Sequence, residues 1–549
     1  MPGDEAKLPE PQVARVTVHD GVEIAVALYM PEGDGPFPAV LAASPYRFDN
    51  NALPAGPQFL WRETGPIGLY LTRGYVYAFM DVRGSGRSGG EFRFLDSNEQ
   101  RDLYDVIEWL GHQPWSNGKV GGLGQSYFCM SQWWMAIVKP PSLACIAAFD
   151  GLNDPYRAGA YHGGILCDFW NYWWNQNRII NRHPANGQHP REQEYDLALL
   201  VQQHPTYDDF WRERCAAERL EEIEVPLYSI GIWGKVELHT RGNIEGYRRA
   251  SGPKKLRMNG PPNAFAANRE FNGVELHETL LLPFYDHYLK GEETDYAARP
   301  NVEYFVRGAE TFRTAESWPP PGVAYTSWYL SAEKSGSVSS LNDGSLTREP
   351  PADASATSYA YPNPGWMMGV VGMGPQGTPD PARRVLTFTT PPLEHDLEIA
   401  GPIKLVLYGA STRSDMDFFV KISDQQPQAD GDRANDINPA YSIVTKGWLR
   451  ASHRALDPDR STDMEPYHTH ADPEPLEPGK VYRFDISIEP QAHRFKKGDR
   501  IRLEIVNGDS ALTDMLWTHY YLPEKIGTDT IHHGPECLSE LILPVTEGA

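Results

Sequence analysis

The stretch Gly118-Lys119-Val120-Gly121-Gly122-Leu123-Gly124-Gln125-Ser126-Tyr127 decides the fold. Lys119 to Leu123 reads as a short buried strand, and the chain then turns through Gly124-Gln125-Ser126 into a tryptophan-rich helical pattern. A strand, a tight bend carrying a hydroxyl and a following helix together present a nucleophile on a strained turn, where the helix N-terminus favours developing negative charge. Gly124 stands two before the serine, as that bend requires, but Phe128 stands two after it, where a second glycine is usual. A Gly-x-Ser tripeptide also arises by chance, and a serine before a helix can simply cap it. The surrounding pattern therefore has to supply the specificity.

Upstream, Val13 to Tyr29 reads as an antiparallel pair about Asp20-Gly21, and Ala39 to Ala43 and Tyr75 to Asp81 as buried strands. Ser97 and Gln100 make a capping-box pattern, after which Leu103, Val106, Ile107 and Leu110 share one helical face. Gly84 to Gly89 is glycine-rich but lacks a helix directly after it, so it reads as a structural turn rather than a dinucleotide loop. Downstream, 151–222 is aromatic-rich and irregular, the composition of a segment inserted over a site. Strands resume at Val225 to Ile230 and Lys255 to Met258, and Glu278 to Leu289 is helical. Beyond Trp318-Pro319-Pro320-Pro321 the pattern changes to period-two strands such as Tyr482, Phe484, Ile486 and Ile488, then Ile501, Leu503 and Ile505. Gly336 to Gly377, poor in large aliphatics, reads as long loop. The expected class is α/β: an α/β-hydrolase domain over 1–150 and 223–317, a helical cap at 151–222, and a jelly-roll β-sandwich over 318–549.

Several ordered motifs carry a family resemblance. Ala43-Ser44-Pro45-Tyr46, Asp81-Val82-Arg83-Gly84-Ser85-Gly86-Arg87-Ser88-Gly89-Gly90-Glu91-Phe92 and the stretch ending in Ser126-Tyr127 resemble the CocE/NonD hydrolases, the cocaine-esterase and X-Pro dipeptidyl-peptidase group. The likeness continues through Gly447 to Arg454, Pro466 to His470 and Ala492 to Gly498. It implies Ser126 as nucleophile, with the Tyr46 hydroxyl and the Tyr127 backbone N–H as oxyanion donors. The acid and base depart from it. A histidine is expected about where Asn263 stands, and Gly231 to His239 offers Glu237 as its sole carboxylate, with His239 on the same segment as a replacement base. Trp133, Trp170, Trp173, His162 and Trp233 are the candidates for lining a pocket suited to a bulky apolar substrate.

Two activities follow from these readings. One is serine-dependent acyl transfer from a small ester or amide to water. The other is a non-hydrolytic reaction (cyclase, lyase, isomerase or C–C bond formation) in the same oxyanion pocket, since the triad histidine is missing. A glycan-binding role for the β-domain is a third reading, and it leaves Tyr46 and Ser126 without a purpose. The net charge of −23 over 549 residues argues against nucleic acid or an anionic membrane as partner. Five scattered cysteines without a CxxC pair suggest neither a disulfide framework nor a zinc knuckle. His468-Thr469-His470 and His532-His533 read as surface or packing features, so no metal or organic cofactor is expected. A small molecule is the expected partner, self-association is left open, and the polar start and lack of long apolar runs point to the cytoplasm.

Overall fold

The protein is described from a computed structural model covering residues 8–53, 61–183, 194–361, 385–429, 438–510, 514 and 517–546. The first sheet uses β1 (Gln12–Thr17), β2 (Glu23–Tyr29), β3 (Phe37–Ser44), β4 (Val76–Asp81), β5 (Ser116–Gly122) and β6 (Leu143–Phe149). A small hairpin, β7 (Tyr161–His162) and β8 (Ile165–Leu166), lies apart, and the sheet continues with β9 (Leu227–Ile232), β10 (Lys254–Asn259), β11 (Val302–Val306) and β12 (Thr311–Ala315). The order across it is β1-β2-β4-β3-β5-β6-β9-β10-β11-β12, parallel from β4 to β11 and antiparallel at both ends. Every residue of β4 and β9 is buried, which is why these strands are mostly apolar instead of alternating: helices cover both faces of a parallel sheet.

The α-helices among the described residues are α1 (Ile67–Thr72), α2 (Ser97–Gly111), α3 (Tyr127–Ile137), α4 (Phe169–Arg182), α5 (Leu197–Gln203), α6 (Asp209–Arg214), α7 (Thr240–Arg249), α8 (Ala264–Phe271), α9 (Val274–Leu276) and α10 (Leu282–Tyr285), the last two joined and extended by π-helical turns at His277–Leu281 and Asp286–Lys290 that cover the helix expected from Glu278 to Leu289. The N-cap of α2 is Asp96, one residue before the expected Ser97, because the Asp96 carboxylate accepts the Glu99 N–H and the Gln100 side chain is drawn away to the Leu95 and Glu213 carbonyls. Residues 151–222, the stretch read from the sequence as a cap, carry the β7–β8 hairpin and helices α4 to α6.

The second sheet differs from the expected sandwich. Its strands are β13 (Ala324–Ser331), β14 (Gly344–Thr347), β15 (Ser355–Tyr361), β16 (Leu386–Thr389), β17 (Leu397–Ser411), β18 (Asp417–Gln425), β19 (Tyr441–Arg450), β20 (Tyr482–Phe495), β21 (Arg500–Val506), β22 (Gly527–His533) and β23 (Glu540–Val545). The 15-residue β17 pairs along one edge with β20 and on its other edge with both β22 and β23. The ring β17-β20-β19-β18-β21-β16-β14-β13-β23 thereby closes as a nine-stranded barrel, with β22 and β15 as an outer extension. Period-two alternation marks the inward face, here Phe484, Ile486, Ile501 and Leu503, but it says nothing about which edges meet. The loop expected over Gly336 to Gly377 contains β14 and β15, and its remainder from 362 lies outside the described residues. A separate cluster with Trp233, Tyr304, Trp318 and Ala492 joins the two sheets. Among the described residues no helix is long and apolar enough to cross a membrane.

Candidate active site

Between the end of β5 and the start of α3, Ser126 sits at φ 60°, ψ −116°. A non-glycine residue held there stores roughly 1–3 kcal/mol of strain, which its surroundings must over-determine. The Ser126 N–H donates to the Asp150 carbonyl (3.0 Å), the Gln125 N–H donates to the Glu63 carbonyl (3.1 Å), and the Cys129 and Met130 N–H groups converge on the Ser126 carbonyl. The Ser126 side chain makes no capping bond, so its hydroxyl is left for other partners. Gly124, at φ 129°, is required: a Cβ there would lie 2.3 Å from that of Phe128. That missing carbon makes room for Phe128 where a glycine is usual, and the Phe128 ring packs edge-on against Tyr46 and Phe79.

A phenol and a carboxyl flank the serine. Tyr46, placed just beyond β3 and 4% exposed, lies in hydrogen-bonding reach of Ser126. Burial, then the neighbouring Glu63, raise the Tyr46 phenol well above its ordinary value, so it remains a donor. The indole N–H of Trp173 on α4 donates to the Tyr46 oxygen at 2.8 Å. Indole is a donor only, so the phenol's own hydrogen is directed elsewhere, toward the serine side. Glu63, just before α1, is buried and also hydrogen-bonded to Ser126, while its Oε2 has no hydrogen-bond partner among the described residues. Burial pushes its carboxyl up to about 8, with Asp150 adding to the shift and Lys235 and Ser126 opposing it.

Behind them lies a buried ion pair. Asp150 at the end of β6 and Lys235 just after β9 meet at 2.6 Å, and the Gln125 amide donates to the same Asp150 oxygen at 2.7 Å. Burial acts to raise Asp150, but Lys235, His239 and Gln125 outweigh it and hold the carboxyl below its ordinary range. Tyr127, first residue of α3, has no intrahelical acceptor for its N–H, and its hydroxyl donates to Glu99 at 2.8 Å.

The structure brings Ser126, Tyr46 and Tyr127 together and distributes the other sequence candidates differently. The His239 Nδ1 accepts the Leu152 N–H at 3.1 Å, which leaves the hydrogen of the neutral ring on Nε2, and burial holds the ring neutral by lowering its pKa to about 3. No hydrogen bond joins Ser126 to a histidine among the described residues. Glu237 pairs with Lys446 of the C-terminal domain. Asn263 caps α8, its side chain accepting the Ala266 N–H at 3.0 Å. Trp173 stacks on Tyr127 at 5.6 Å. Trp133 is sealed between α3 and Gly246 of α7, Trp170 donates to the Pro155 carbonyl inside the cap, and Trp233 belongs to the cluster between the sheets. His162 meets His519 instead of Ser126. A cavity of about 470 Å³ opens at the domain junction, lined by Arg157, His162, Glu237, Arg241 and Trp448 among others, and Ser126, Tyr46 and Glu63 are not part of its wall.

Glu63, Asp150 and Lys235 are absent from the sequence candidates. Asp150 and Lys235 each follow the carboxyl end of a parallel strand, where sites of this fold form, and that signal was readable. Glu63 follows no strand and fits no motif.

Comparison with known proteins follows the same two-part division. Residues 20–261 match the model of the X-Pro dipeptidyl-peptidase (S15) family, and residues 295–542 match that of the X-Pro dipeptidyl-peptidase C-terminal non-catalytic domain. A provisionally named serine esterase of Mycobacterium bovis is 28% identical, aligned over 97% of this chain and 95% of its own. Cocaine esterase of a Rhodococcus species is 26% identical over 96% and 97%. The crystal structure of a CocE/NonD family hydrolase from Staphylococcus aureus, 27% identical, superposes with a TM-score of 0.81 over 98% of this chain and 93% of that one.

Proposed function

Because the chain belongs to the CocE/NonD hydrolases, a family of α/β-hydrolase esterases and peptidases, we propose that it transfers the acyl group of a small organic ester or amide to water through Ser126, with Glu63 in the place of the usual histidine base. The observation that carries this reading is the Ser126 hydroxyl held between the Glu63 carboxyl and the Tyr46 phenol on a strained bend.

The ionised Glu63 accepts the Ser126 proton as Oγ bonds to the substrate carbonyl carbon, and the Tyr46 O–H and Tyr127 N–H donate to the resulting oxyanion. Collapse of the adduct expels the leaving group, which takes the proton back from Glu63. Water then attacks the acyl-serine, with Glu63 accepting its proton, and Ser126 is restored. Lys235 sustains the ionised fraction of Glu63 by its charge, and Asp150 fixes Lys235 in place. A fluorophosphonate label on Ser126 and aryl-ester turnover test the proposal. Ser126→Ala should abolish both, and Glu63→Gln should lower turnover by about 10²–10⁴-fold. Failure of the native protein to label or turn over would overturn it.

One observation favours the non-hydrolytic reading: with no histidine bonded to Ser126 among the described residues, a carboxyl pushed up to about 8 faces two oxyanion donors, a set suited to removing a proton next to a carbonyl. Full turnover of the natural substrate by Ser126→Ala, together with its loss in Glu63→Gln, would select that reading.

A further inference from the structure

Away from Ser126, the cap and the C-terminal domain meet in a short stretch of backbone pairing. Cys167, just beyond β8, forms an antiparallel bridge with His519, flanked by Asp168 N–H to the Thr518 carbonyl (2.8 Å) and Tyr520 N–H to the Leu166 carbonyl (3.0 Å). Residues directly opposite on such a bridge project from one face, so the thiol and the imidazole emerge side by side. His162, paired with Ile165 across the hairpin, reaches the same spot.

The His162 Nδ1 lies 2.9 Å from the His519 Nε2, and the Cys167 Sγ lies within 4.8 Å of both. Each ring is fixed from behind. The His519 Nδ1 meets the Asp509 carboxylate at 3.0 and 3.2 Å, and the His162 Nε2 meets the Ala158 carbonyl at 3.3 Å. Those oxygens only accept, so the rear nitrogens carry the hydrogens and the two that face each other present lone pairs in the neutral rings. Facing lone pairs repel unless a cation answers both. A shared proton would serve the nitrogens alone, and the Cys167 thiol, which donates to the Trp517 carbonyl at 3.4 Å, would stay outside that pair.

We infer that His162, Cys167 and His519 form a site for a borderline-soft divalent cation of the Zn²⁺ class, which clamps the cap hairpin to the C-terminal domain. The ligand set and its orienting partners are those such an ion selects: two imidazoles, one thiolate, and a carboxylate holding one imidazole from behind. With metal–nitrogen bonds of about 2.0–2.1 Å, nitrogens this far apart subtend about 90°, and reaching the tetrahedral angle needs only about 0.4 Å of further separation. The Trp448 ring stacked on His162 at 4.7 Å and the Phe419 ring edge-on to His519 at 4.9 Å wall the site. His162 also borders the junction cavity, which supplies an entry path. On binding, Cys167 gives up its thiol proton to solvent and gains the metal–sulfur bond, and the fourth position stays open to water. This clamp does not depend on the reaction proposed at Ser126.

The test is titration of the chelator-treated full chain with Co²⁺ under anaerobic conditions. One equivalent should bind with a thiolate-to-cobalt charge-transfer band and tetrahedral d–d bands, Zn²⁺ should displace it, and the melting temperature should rise by several degrees. Cys167→Ser should lose the charge-transfer band, and His519→Asn should weaken binding by about 10-fold or more. Native protein that shows neither band nor melting shift would overturn the site in favour of the shared proton. Unchanged binding by a folded Cys167→Ser/His519→Asn double variant would overturn it by placing the metal elsewhere.

Discussion

The Glu63 carboxyl controls both a rate and a stability. As the proposed base it works only when ionised, so kcat/KM should rise with pH through about 8, and Glu63→Gln should remove that inflection along with most of the activity. The linkage to folding runs the other way. The ordinary glutamate value of 4.5 is raised in the folded chain, so between that value and about 8 the native state keeps a proton the unfolded chain has released, and stability falls as pH rises across that window. Thermal melts of Glu63→Gln should show a flatter pH dependence there. Ser126 offers a companion test, because its φ of 60° suits glycine. Relief of about 1–3 kcal/mol of strain exceeds the roughly 0.5–1 kcal/mol of extra chain entropy that glycine brings to the unfolded state. Ser126→Gly should therefore melt higher than the native protein while losing acyl transfer. The hydroxyl was legible from its strand-turn-helix setting. Glu63 was not, because nothing local distinguishes a carboxylate in an irregular segment from a solvated one.

Helices reach the site through single contacts, and each can be probed by one atom group. From α4, the Trp173 N–H fixes the direction of the Tyr46 hydroxyl. Trp173→Phe removes that donor and should lower kcat by about fivefold, the equivalent of one hydrogen bond of about 1 kcal/mol, with KM little changed. On α7, Gly246 faces the Trp133 ring so closely that a Cβ would lie 2.4 Å from it. Helix propensity alone would make alanine better there by about 1 kcal/mol, but overpacking against a rigid indole costs about 1–3 kcal/mol and wins. Gly246→Ala should lower the denaturant midpoint. All four tryptophans were read from the sequence as candidates for lining one pocket. Their division into a site contact (Trp173), a helix spacer (Trp133), a cap core (Trp170) and a junction core (Trp233) depends on which helices meet.

The whole molecule is fastened by charged groups between its domains. Lys446 on β19 holds Glu237 after β9 and Asp514 at once, with side chains only 9%, 17% and 5% exposed. Lys446→Met would leave the Glu237 carboxylate without its cation and Asp514 with Lys421 alone, at a cost of about 3–5 kcal/mol, measurable as a lower unfolding midpoint. Asp514, bound by Lys421 and Lys446, and Asp417, bound by Lys525 and Arg450, are both held below the ordinary aspartate range against the upward pull of burial. Their contribution is complete above the unfolded value of 3.8 and is lost as pH falls through their lower folded values, which gives acid unfolding its lower limit. The sequence by itself determined the parallel sheet, the bend at Ser126 and a C-terminal β-domain, because hydrophobic period and turn chemistry are local properties of a chain. The closing of β17 onto β23, the company of Ser126, and the meeting of His162 and Cys167 with His519, 357 residues after His162, were decided only in three dimensions. Edge pairing, burial of charge and ligand convergence depend on distances between segments that no spacing along the chain records.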